Sequence, residues 1–344
     1  MTTALRITYF ISAYRSAGQL ERLVTTLRRG DPTCAIVIHD SFPVPLDPRL
    51  FADMADVHVI RTHTPIVWGD LTMEAARWKV FSWILDNVDT DWVMLLSEQD
   101  YPIAPLSGLH ARLAASGADA VLAGIKLDDI ADPDQLRDKV LRYRYRYLSL
   151  PALGIERRLP RLARRVLAGV RRRVFDAVNR TQRTVVFYRT PDSVHLPTRI
   201  GLRTRRTPFD TDFPCWCHRC WYALSRNAMQ RVVDYVDTHP DFVRYYKRTV
   251  IPVESATGTI IFNDATLAVD HALATGAYAL SFGAPLHAIR FSDVASGRPD
   301  VFSTGDLDYL LSSGAYFARK FEHDDDVLDE LDKTIFATGD HPTS

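Results

Sequence analysis

The stretch DWVMLLSEQDYPI, residues 91–103, is an apolar run of strand type that ends abruptly in polar residues. Ser97, Glu98 and Asp100 follow its last apolar residues. In an open α/β sheet, ligands bind in the crevice beyond the carboxyl ends of the strands. The stretch therefore predicts a strand that ends at a functional edge of a sheet, where the carboxylates of Glu98 and Asp100 are candidate site residues.

Strand and helix patterns alternate on both sides of this stretch, through about the first 125 residues. Short runs rich in β-branched and aromatic residues are separated by amphipathic segments of helical length. This alternation predicts an α/β fold with a mostly parallel central sheet that is covered on both faces. The strand-type runs are RITYFIS (6–12), CAIVIHD (34–40), DVHVIRT (56–62) and ADAVLAGI (118–125), and the helical segments are AGQLERLVTTLRR (17–29), TMEAARWKVFSWILDN (72–87) and LSGLHARLAAS (106–116).

Composition narrows the class of protein. A chain of 344 residues with 47% hydrophobic content can bury a large core, either as one large domain or as two closely packed ones. Acidic and basic residues balance at 42 each, so the whole molecule carries no nucleic-acid signature. The beginning, MTTALRITYFISAYRSAG, has only a short, interrupted apolar run, which is typical of a first strand rather than a signal peptide or membrane span. We expect a cytoplasmic, bacterial protein.

The sequence CWCHRC places Cys215, Cys217, His218 and Cys220 within six residues. Structural zinc normally uses two separated knuckles, so that four ligands can reach tetrahedral positions. Here all the candidate ligands fall in one knuckle. Reduced, buried thiols are the simpler interpretation, and zinc is the alternative.

Residues 134–206 form an Arg-rich segment. Apolar residues recur at helical spacing between arginines after Pro160, which predicts a basic amphipathic helix. Its apolar stripe could pack on the main domain, which is the simpler interpretation, or the helix could lie on an anionic membrane surface. Tyr and Arg also alternate in LRYRYRYLSLP (141–151), as in a half-exposed strand or in a platform for single-stranded nucleic acid. The helical apolar positions are Leu162, Val166, Leu167, Val170, Val174 and Val178.

Glu98 and Asp100 are spaced i and i+2 where a sheet-edge metal site could form. An Asp-x-Asp pair at such a strand end binds the divalent cation that neutralises a diphosphate in many sugar transferases. This pair is Glu-x-Asp, and Asp100 is equally typical of a turn before Tyr101 and Pro102. The strings DTD (89–91) and DLD (306–308) do not lie at the end of a predicted strand.

Two further candidates lie in the last third of the chain. Glu254 follows Pro252 in VIPVESATGTIIFND (250–264), where it can serve as a catalytic carboxylate or as an ordinary first-turn acid stabilised by the helix dipole. Arg319 and Lys320 stand between two phenylalanines in FARKF (317–321). Burial of both aromatic rings would confine these cations in a cleft suited to phosphate, although an ordinary surface pair fits the spacing too.

Read together, these segments resemble the core-2/I-branching β-1,6-N-acetylglucosaminyltransferase and xylosyltransferase family. The resemblance spans most of the chain except its Arg-rich middle. The segments that carry it, in the order of the family, are VIHD (37–40), VWGDLTMEAA (67–76), LSEQDYPI (96–103), CWYALSRNA (220–228), IPVES (251–255), GRPDVFSTGDLDYLL (297–311) and FARKF (317–321).

The resemblance implies a GT-A type nucleotide-sugar-binding fold and an inverting transfer of a sugar, of N-acetylglucosamine or xylose type, from a UDP-sugar to an acceptor hydroxyl. It implies no cofactor and no divalent metal, because such enzymes use basic side chains on the diphosphate. By position, Glu254 corresponds to the catalytic base. The implied donor-binding residues are Asp40, Arg298, Arg319 and Lys320, and the implied acceptor or cleft residues are Asp100, Trp68 and Trp221.

The resulting domain prediction has four parts. Residues 1–133 form the nucleotide-binding α/β half, 134–206 an Arg-rich helical insertion, 207–322 the acceptor and catalytic half of the same GT-A domain, and 323–344 an acidic C-terminal helix and tail. The expected partners are a nucleotide-sugar donor and a glycan, lipid-linked or small-molecule acceptor, without nucleic acid. Peripheral contact with the inner face of the membrane through the basic helix is a further expectation.

Small residues, SATGT (255–259), follow Glu254 where the family often has another acid or aromatic residues. This departure leaves an alternative open, namely a catalytically silent glycan-binding or membrane-associated scaffold with the same fold. A metal-dependent transferase that uses Glu98 and Asp100 is a third possibility.

Overall fold

A seven-stranded sheet forms the centre of the fold in the computed structural model, which describes residues 5–149, 169, 173–175, 177–179, 184–188, 199–270, 286–292, 298–323 and 325–337. The strands are β1 Ile7–Ala13, β2 Ala35–Asp40, β3 Val57–Ile60, β4 Trp92–Ser97, β5 Asp100–Pro102, β6 Ala120–Val121, β7 Gly124–Lys126, β8 Tyr145–Ser149, β9 Val185–Tyr188, β10 Arg199–Arg203, β11 Trp216–His218, β12 Ala223–Ser225, β13 Val269–Asp270, β14 His287–Ile289 and β15 Phe317–Arg319.

The α-helices of the described residues lie before, between and after these strands. They are α1 Ala17–Gly30, α2 Leu71–Asn87, α3 Leu106–Ser116, α4 Pro133–Tyr143, α5 Arg226–Thr238, α6 Pro240–Tyr246, α7 Ala256–Asn263, α8 Leu307–Ser312 and α9 Asp326–Ala337. Helical residues also occur at 173–175 and 177–179.

The strand order in the central sheet is β13-β6-β12-β4-β1-β2-β3. The neighbours β4-β1-β2-β3 are all parallel, and β13 is parallel to β6. Strand β12 runs antiparallel to both β4 and β6. The fold is therefore mixed α/β with a mostly parallel central sheet, which confirms the fold class predicted from the alternating patterns.

Both faces of this sheet are buried. In β1, Ile7, Tyr9 and Ile11 point into one apolar cluster, which includes residues of α1, α3 and α9. Phe10 points into the opposite cluster, which includes residues of α2, α5 and α7. A strand covered on both faces has continuous rather than alternating hydrophobicity; WVMLL in β4 is such a run, whereas β1 also buries the polar Thr8.

Three chain segments meet at the carboxyl edge of the sheet. Strands β1 and β4 are neighbours, with Ser12 paired to Ser97. Directly beyond β4, strand β5 joins a small sheet of order β14-β15-β5, in which Arg319 is paired to Asp100. The fold thus brings the FARKF segment to the end of the DWVMLLSEQDYPI strand, although more than 200 residues separate them in sequence.

The described part of the Arg-rich segment contains strands as well as helix. Strands β8, β10 and β9 form an antiparallel sheet, in which Tyr145 and Tyr147 are buried. The alternating Tyr and Arg residues therefore form a strand with one buried face, because only every second side chain faces the core. Most of the basic helix predicted after Pro160 lies outside the described residues. Among the helices that are described, none has both the length and the apolar content needed to cross a lipid bilayer.

Candidate active site

Asp100 is a completely buried carboxylate at the end of the opening stretch. Its Oδ2 accepts hydrogen bonds from the backbone N–H of Ser97 at 2.6 Å and from Trp221 Nε1 at 3.2 Å. Its Oδ1 accepts a hydrogen bond from a guanidinium N–H of Arg319 at 2.9 Å. Both oxygens are thus engaged by protein donors, and Asp100 acts as the counter-ion that orients Arg319.

Glu98 has a different environment from Asp100. Its Oε1 accepts hydrogen bonds from the backbone N–H groups of Tyr14 and Arg15, at 3.3 and 2.9 Å, and so fixes the loop between β1 and α1. Its buried Oε2 has no hydrogen-bond partner among the described residues. Burial is the main reason that the pKa of Glu98 is raised, since the backbone donors and Arg319 only partly compensate.

Both carboxylates of this pair are engaged mainly by donors of the protein itself. Three of their four oxygens accept hydrogen bonds from protein donors. Across the part of the chain that the structure describes, no group of three or more His, Cys, Asp or Glu side chains is arranged to hold a metal ion.

A cluster of basic side chains surrounds Lys320, directly beside Asp100 and Arg319. The pKa of Lys320 is lowered, first by burial and then by the positive charges of Arg15, Arg319 and Arg298, while Glu322 opposes the shift. Like charges raise the cost of charging an ammonium group unless an anion is bound. These four cations outnumber the two carboxylates beside them, Asp100 and Glu322, and such a cluster can receive an anion.

Glu254 lies at the other side of the site, in a short 3-10 turn (Pro252–Glu254) that leads into α7. Its Oε2 accepts hydrogen bonds from Lys139 Nζ at 2.6 Å and from Arg142 at 2.7 Å, whereas Oε1 takes part in neither bond. Burial alone would raise the pKa of Glu254, but the charges of Lys139, Arg142 and Arg219 outweigh it and hold the pKa well below its usual range. Glu254 is therefore a carboxylate at every physiological pH.

The backbone immediately before Glu254 is strained. Ile251 has a φ of 52°, a left-handed conformation that is rare for a β-branched residue. The conformation is held by a hydrogen bond from the Ile251 N–H to the carbonyl of Gly69 and by one from the Tyr143 hydroxyl to the Ile251 carbonyl, both at 2.9 Å. Strain of this kind is retained where the surrounding structure fixes a functional side chain.

The segment 219–221 connects the two sides of the site. At one end, the charge of Arg219 acts on Glu254, and the Cys220 thiol faces the carbonyl of Val253 at 3.7 Å. At the other end, Trp221 donates to Asp100, and the guanidinium of Arg319 lies 5.0 Å above its ring. This three-residue segment therefore lies against both the surroundings of Glu254 and the Asp100–Arg319 pair.

Asp40, at the end of β2, is buried and engaged on both oxygens. It accepts hydrogen bonds from the backbone N–H groups of Phe42 and Leu46 and forms a 3.0 Å ion pair with Arg61. The side chain of Arg61 is 41% exposed, so Asp40 holds a guanidinium that is partly open to solvent. A cavity of about 440 Å³ opens here, lined by residues 40–43 and 61–66.

The two predicted tryptophans occupy different settings. Trp68 is 42% exposed and precedes Gly69, whose carbonyl bonds to Ile251 near Glu254. Trp221 is half-buried, and Arg319 covers one face of its ring. A sugar ring could stack only on the other face of Trp221.

The four cysteines are free thiols. Within the CWCHRC sequence, His218 donates through Nδ1 to the carbonyl of Arg219 at 2.6 Å, and burial lowers its pKa to about 4. Burial also raises the pKa of Cys215 and of Cys220 to about 11. These groups behave as packed, uncharged side chains.

Sequence reasoning missed four residues at this site: Lys139, Arg142, Arg15 and Glu322. Lys139 and Arg142 are spaced i and i+3 on α4, so they share a helix face, but the abundance of arginine around them hides this signal. Arg15 follows the first strand, and its position relative to FARKF emerges only from the folded structure.

The first part of the chain matches the model of a known protein family. Residues 7–129 match the family model of the Core-2/I-Branching enzymes. The match confirms the resemblance inferred from the motifs, over the part of the chain that includes VIHD, VWGDLTMEAA and LSEQDYPI. The Core-2/I-Branching enzymes are a glycosyltransferase family, and the matched residues contain both Asp100 and the loop that Glu98 fixes.

No curated protein matches the chain. Solved structures that resemble it include a 4-diphosphocytidyl-2C-methyl-D-erythritol synthase with 16% identity and a TM-score of 0.27, covering 38% of this chain and 63% of that one. A synthase of the same name from Anaerococcus prevotii has 10% identity and a TM-score of 0.32, covering 90% and 96% of the two chains. HddC from Yersinia pseudotuberculosis has 10% identity and a TM-score of 0.27, covering 67% and 80%.

Proposed function

We propose that the protein is an inverting, metal-independent glycosyltransferase that moves a sugar from a UDP-sugar to an acceptor hydroxyl. The observation that carries this proposal is the ion pair between Asp100 and Arg319. Asp100 lies in the part of the chain that matches a glycosyltransferase family. Arg319 lies in the later motif FARKF, and the ion pair joins this motif to the matched part. The attached motif brings the phosphate-binding chemistry of Arg319 and Lys320 to the ligand-binding edge of the sheet.

The basic cluster is assigned to the donor diphosphate. Arg319 is oriented before the donor arrives, since Asp100 already holds it in place. Cations fixed in this way stabilise the charge that develops on the diphosphate as the sugar leaves. The cavity bounded by Asp40 and Arg61 is assigned to the nucleoside.

Glu254 is assigned as the base, acting through Oε1. Its Oε2 is held by Lys139 and Arg142, so the carboxylate has one oriented oxygen available to an acceptor hydroxyl. A carboxylate with a low pKa is a weak base for a free alcohol. However, the hydroxyl becomes far more acidic as its oxygen bonds to the anomeric carbon, and a late proton transfer then needs only a well-placed, ionised acceptor.

The low basicity of Glu254 also favours a second candidate, a scaffold that binds a nucleotide sugar without transferring it. In that case Glu254 would be a structural carboxylate whose role is to neutralise Lys139 and Arg142. The two candidates share the donor site and differ only in the chemistry at Glu254.

Two assays on the purified chain test these candidates. Thermal stabilisation by UDP, GDP, CMP and their sugars, with and without chelator, identifies the donor, because a bound ligand raises the melting temperature by mass action. Lys320→Ala should abolish most of the stabilisation, whereas Lys333→Ala, which removes an exposed lysine of α9, should not. Release of UDP with an acceptor panel then distinguishes transfer from silent binding.

The same assays distinguish a metal-dependent transferase from a metal-independent one. Activity that disappears in chelator and returns with manganese would favour a metal site at Glu98 and Asp100. The proposed acceptors are a glycan, a lipid-linked sugar or a small molecule in the cytoplasm or at the inner face of the membrane. A membrane-held acceptor would suit the basic helix predicted after Pro160.

A further inference from the structure

Arg15 is placed at the ligand edge of the sheet by the backbone rather than by its own side chain. It lies two residues beyond the end of β1, and its N–H group bonds to Glu98 Oε1 at 2.9 Å. Because Glu98 follows β4, the bond locks the β1–α1 loop to the strand that leads to Asp100. The guanidinium of Arg15 is 52% exposed, and its positive charge helps to lower the pKa of Lys320.

Glu322 is the anion that faces Arg15 in this cluster. Its carboxylate lies 3.6 Å from the guanidinium of Arg15, which is within ion-pair distance but too long for a hydrogen bond. Its charge also acts on Lys320. The side chain is 43% exposed and its backbone N–H bonds separately to Asp325, so the position of the chain at this residue does not depend on the carboxylate.

We propose that Arg15 is a further binding residue for the donor diphosphate, and that Glu322 is a stand-in anion that neutralises Arg15 until the diphosphate displaces it. The inference rests on the proposed function and extends it to two residues that neither the motifs nor the family match indicated.

The physical argument is one of competing anions. A single carboxylate at 3.6 Å, partly exposed to water, is a weak partner for a guanidinium. A diphosphate carries more charge and can accept two parallel hydrogen bonds from the same group. Displacing Glu322 therefore costs little, and until displacement its charge partly offsets the charge of Arg15.

The test is a double-mutant cycle on binding, read by calorimetry with two probes, UDP and inorganic pyrophosphate. Glu322→Gln should tighten both probes by about fivefold, because the competing anion is removed. Arg15→Gln should weaken both by about tenfold. The double variant should bind like Arg15→Gln, since without Arg15 the loss of Glu322 brings little gain.

Two control variants match these changes in charge and exposure. Glu330→Gln removes a 45% exposed carboxylate from α9, and Arg112→Gln removes a 50% exposed guanidinium from α3. Neither should change the affinity for either probe by more than about twofold, and raising the salt concentration should shrink the effects of Arg15 and Glu322 alike.

The two probes separate this inference from the proposed function. If UDP binds no better than pyrophosphate while the cycle behaves as expected, the nucleotide assignment fails and the roles of Arg15 and Glu322 stand. If UDP binds tightly and neither variant alters its affinity, these roles are refuted and the proposed function stands. Failure of both probes to bind the wild-type protein would overturn both.

Discussion

Lys139 Nζ lies 2.6 Å from Oε2 of Glu254, in a pair where the lysine side chain is 6% exposed and the carboxylate 22%. Arg142 bonds to the same oxygen and also forms an ion pair with Asp138 at 2.8 Å. The ion pairs with Lys139 and Arg142 keep Glu254 ionised and hold its side chain in one orientation. They also make Glu254 a residue whose replacement affects stability and chemistry together.

Glu254→Gln should lower the free energy of unfolding by roughly 3 kcal/mol, because it leaves the buried Lys139 facing a neutral amide and removes one of the two carboxylates that pair with Arg142. Adding Lys139→Met to this variant should recover part of the loss. Chemical denaturation of both single variants and the double variant measures the coupling. Strictly additive losses would show that the pair contributes nothing of its own.

Lys139→Met should move the acid limb of the pH–rate profile to higher pH. The wild-type pKa of Glu254 is held low by Lys139 and Arg142, so protonation of this carboxylate should not limit activity in mildly acidic solution. With one cation removed, the pKa rises toward its usual value and activity should fall earlier as the pH is lowered. The pH dependence of kcat/KM for UDP release measures this, and an unmoved acid limb would argue against Glu254 as the base.

Asp100→Asn should destabilise the protein by roughly 3 kcal/mol, because Arg319 loses the buried charge that pairs with it. Asp89→Asn is the matched control, since Asp89 is 93% exposed in the DTD string and should change the stability by less than about 0.5 kcal/mol. Thermal and chemical unfolding of the two variants compares them directly. Similar stabilities of the two variants would mean that the Asp100–Arg319 pair does not hold the two motifs together.

The sequence predicts the parallel half of the fold better than the antiparallel half. RITYFIS, CAIVIHD and DWVMLLS are rich in apolar residues, and each forms a buried strand because a sheet covered on both faces needs such segments. Strand β12 was not predicted, because three residues, ALS, carry no periodic signal. Its place between β4 and β6 is decided by tertiary pairing.

The candidate site was predictable where a motif carries its own chemistry. Asp100, Glu254, Arg319 and Lys320 were proposed in this way, and their roles stay predictions. The partners of Glu254 could not be found, since Lys139 lies 115 residues away on a helix that is rich in charge for other reasons. Only the folded chain shows that one carboxylate faces two cations.

Glu98→Gln should stabilise the protein at neutral pH. The pKa of Glu98 is raised in the folded state, chiefly by burial, so folding becomes less favourable as the pH rises above the unfolded value of about 4.5. Glutamine keeps an oxygen that accepts hydrogen bonds from the N–H groups of Tyr14 and Arg15, but its side chain does not ionise. The variant should therefore have the higher melting temperature near pH 7, and its advantage should shrink in acid. A lower melting temperature at neutral pH would show that the charge of Glu98 is needed.

His110 should make the stability fall as the solution becomes alkaline. Its Nε2 lies 2.7 Å from Asp31 and its Nδ1 lies 3.1 Å from the carbonyl of Leu5. Both partners are acceptors, so both ring nitrogens donate and the side chain is an imidazolium. The hydrogen bond to Asp31 raises its pKa above the usual value. The stabilisation is therefore complete below about pH 6.5, the unfolded value, and is lost as the pH rises through the folded pKa.

His110→Gln isolates this contribution. Wild-type protein should be more stable than the variant in mildly acidic solution, and the difference should narrow as the pH passes the folded pKa of His110. Melting curves of both proteins across this range measure the difference, with His239→Gln as the control, because His239 is an exposed histidine at the end of α5. A constant difference would mean that His110 is neutral in the folded protein and that its contribution comes from packing alone.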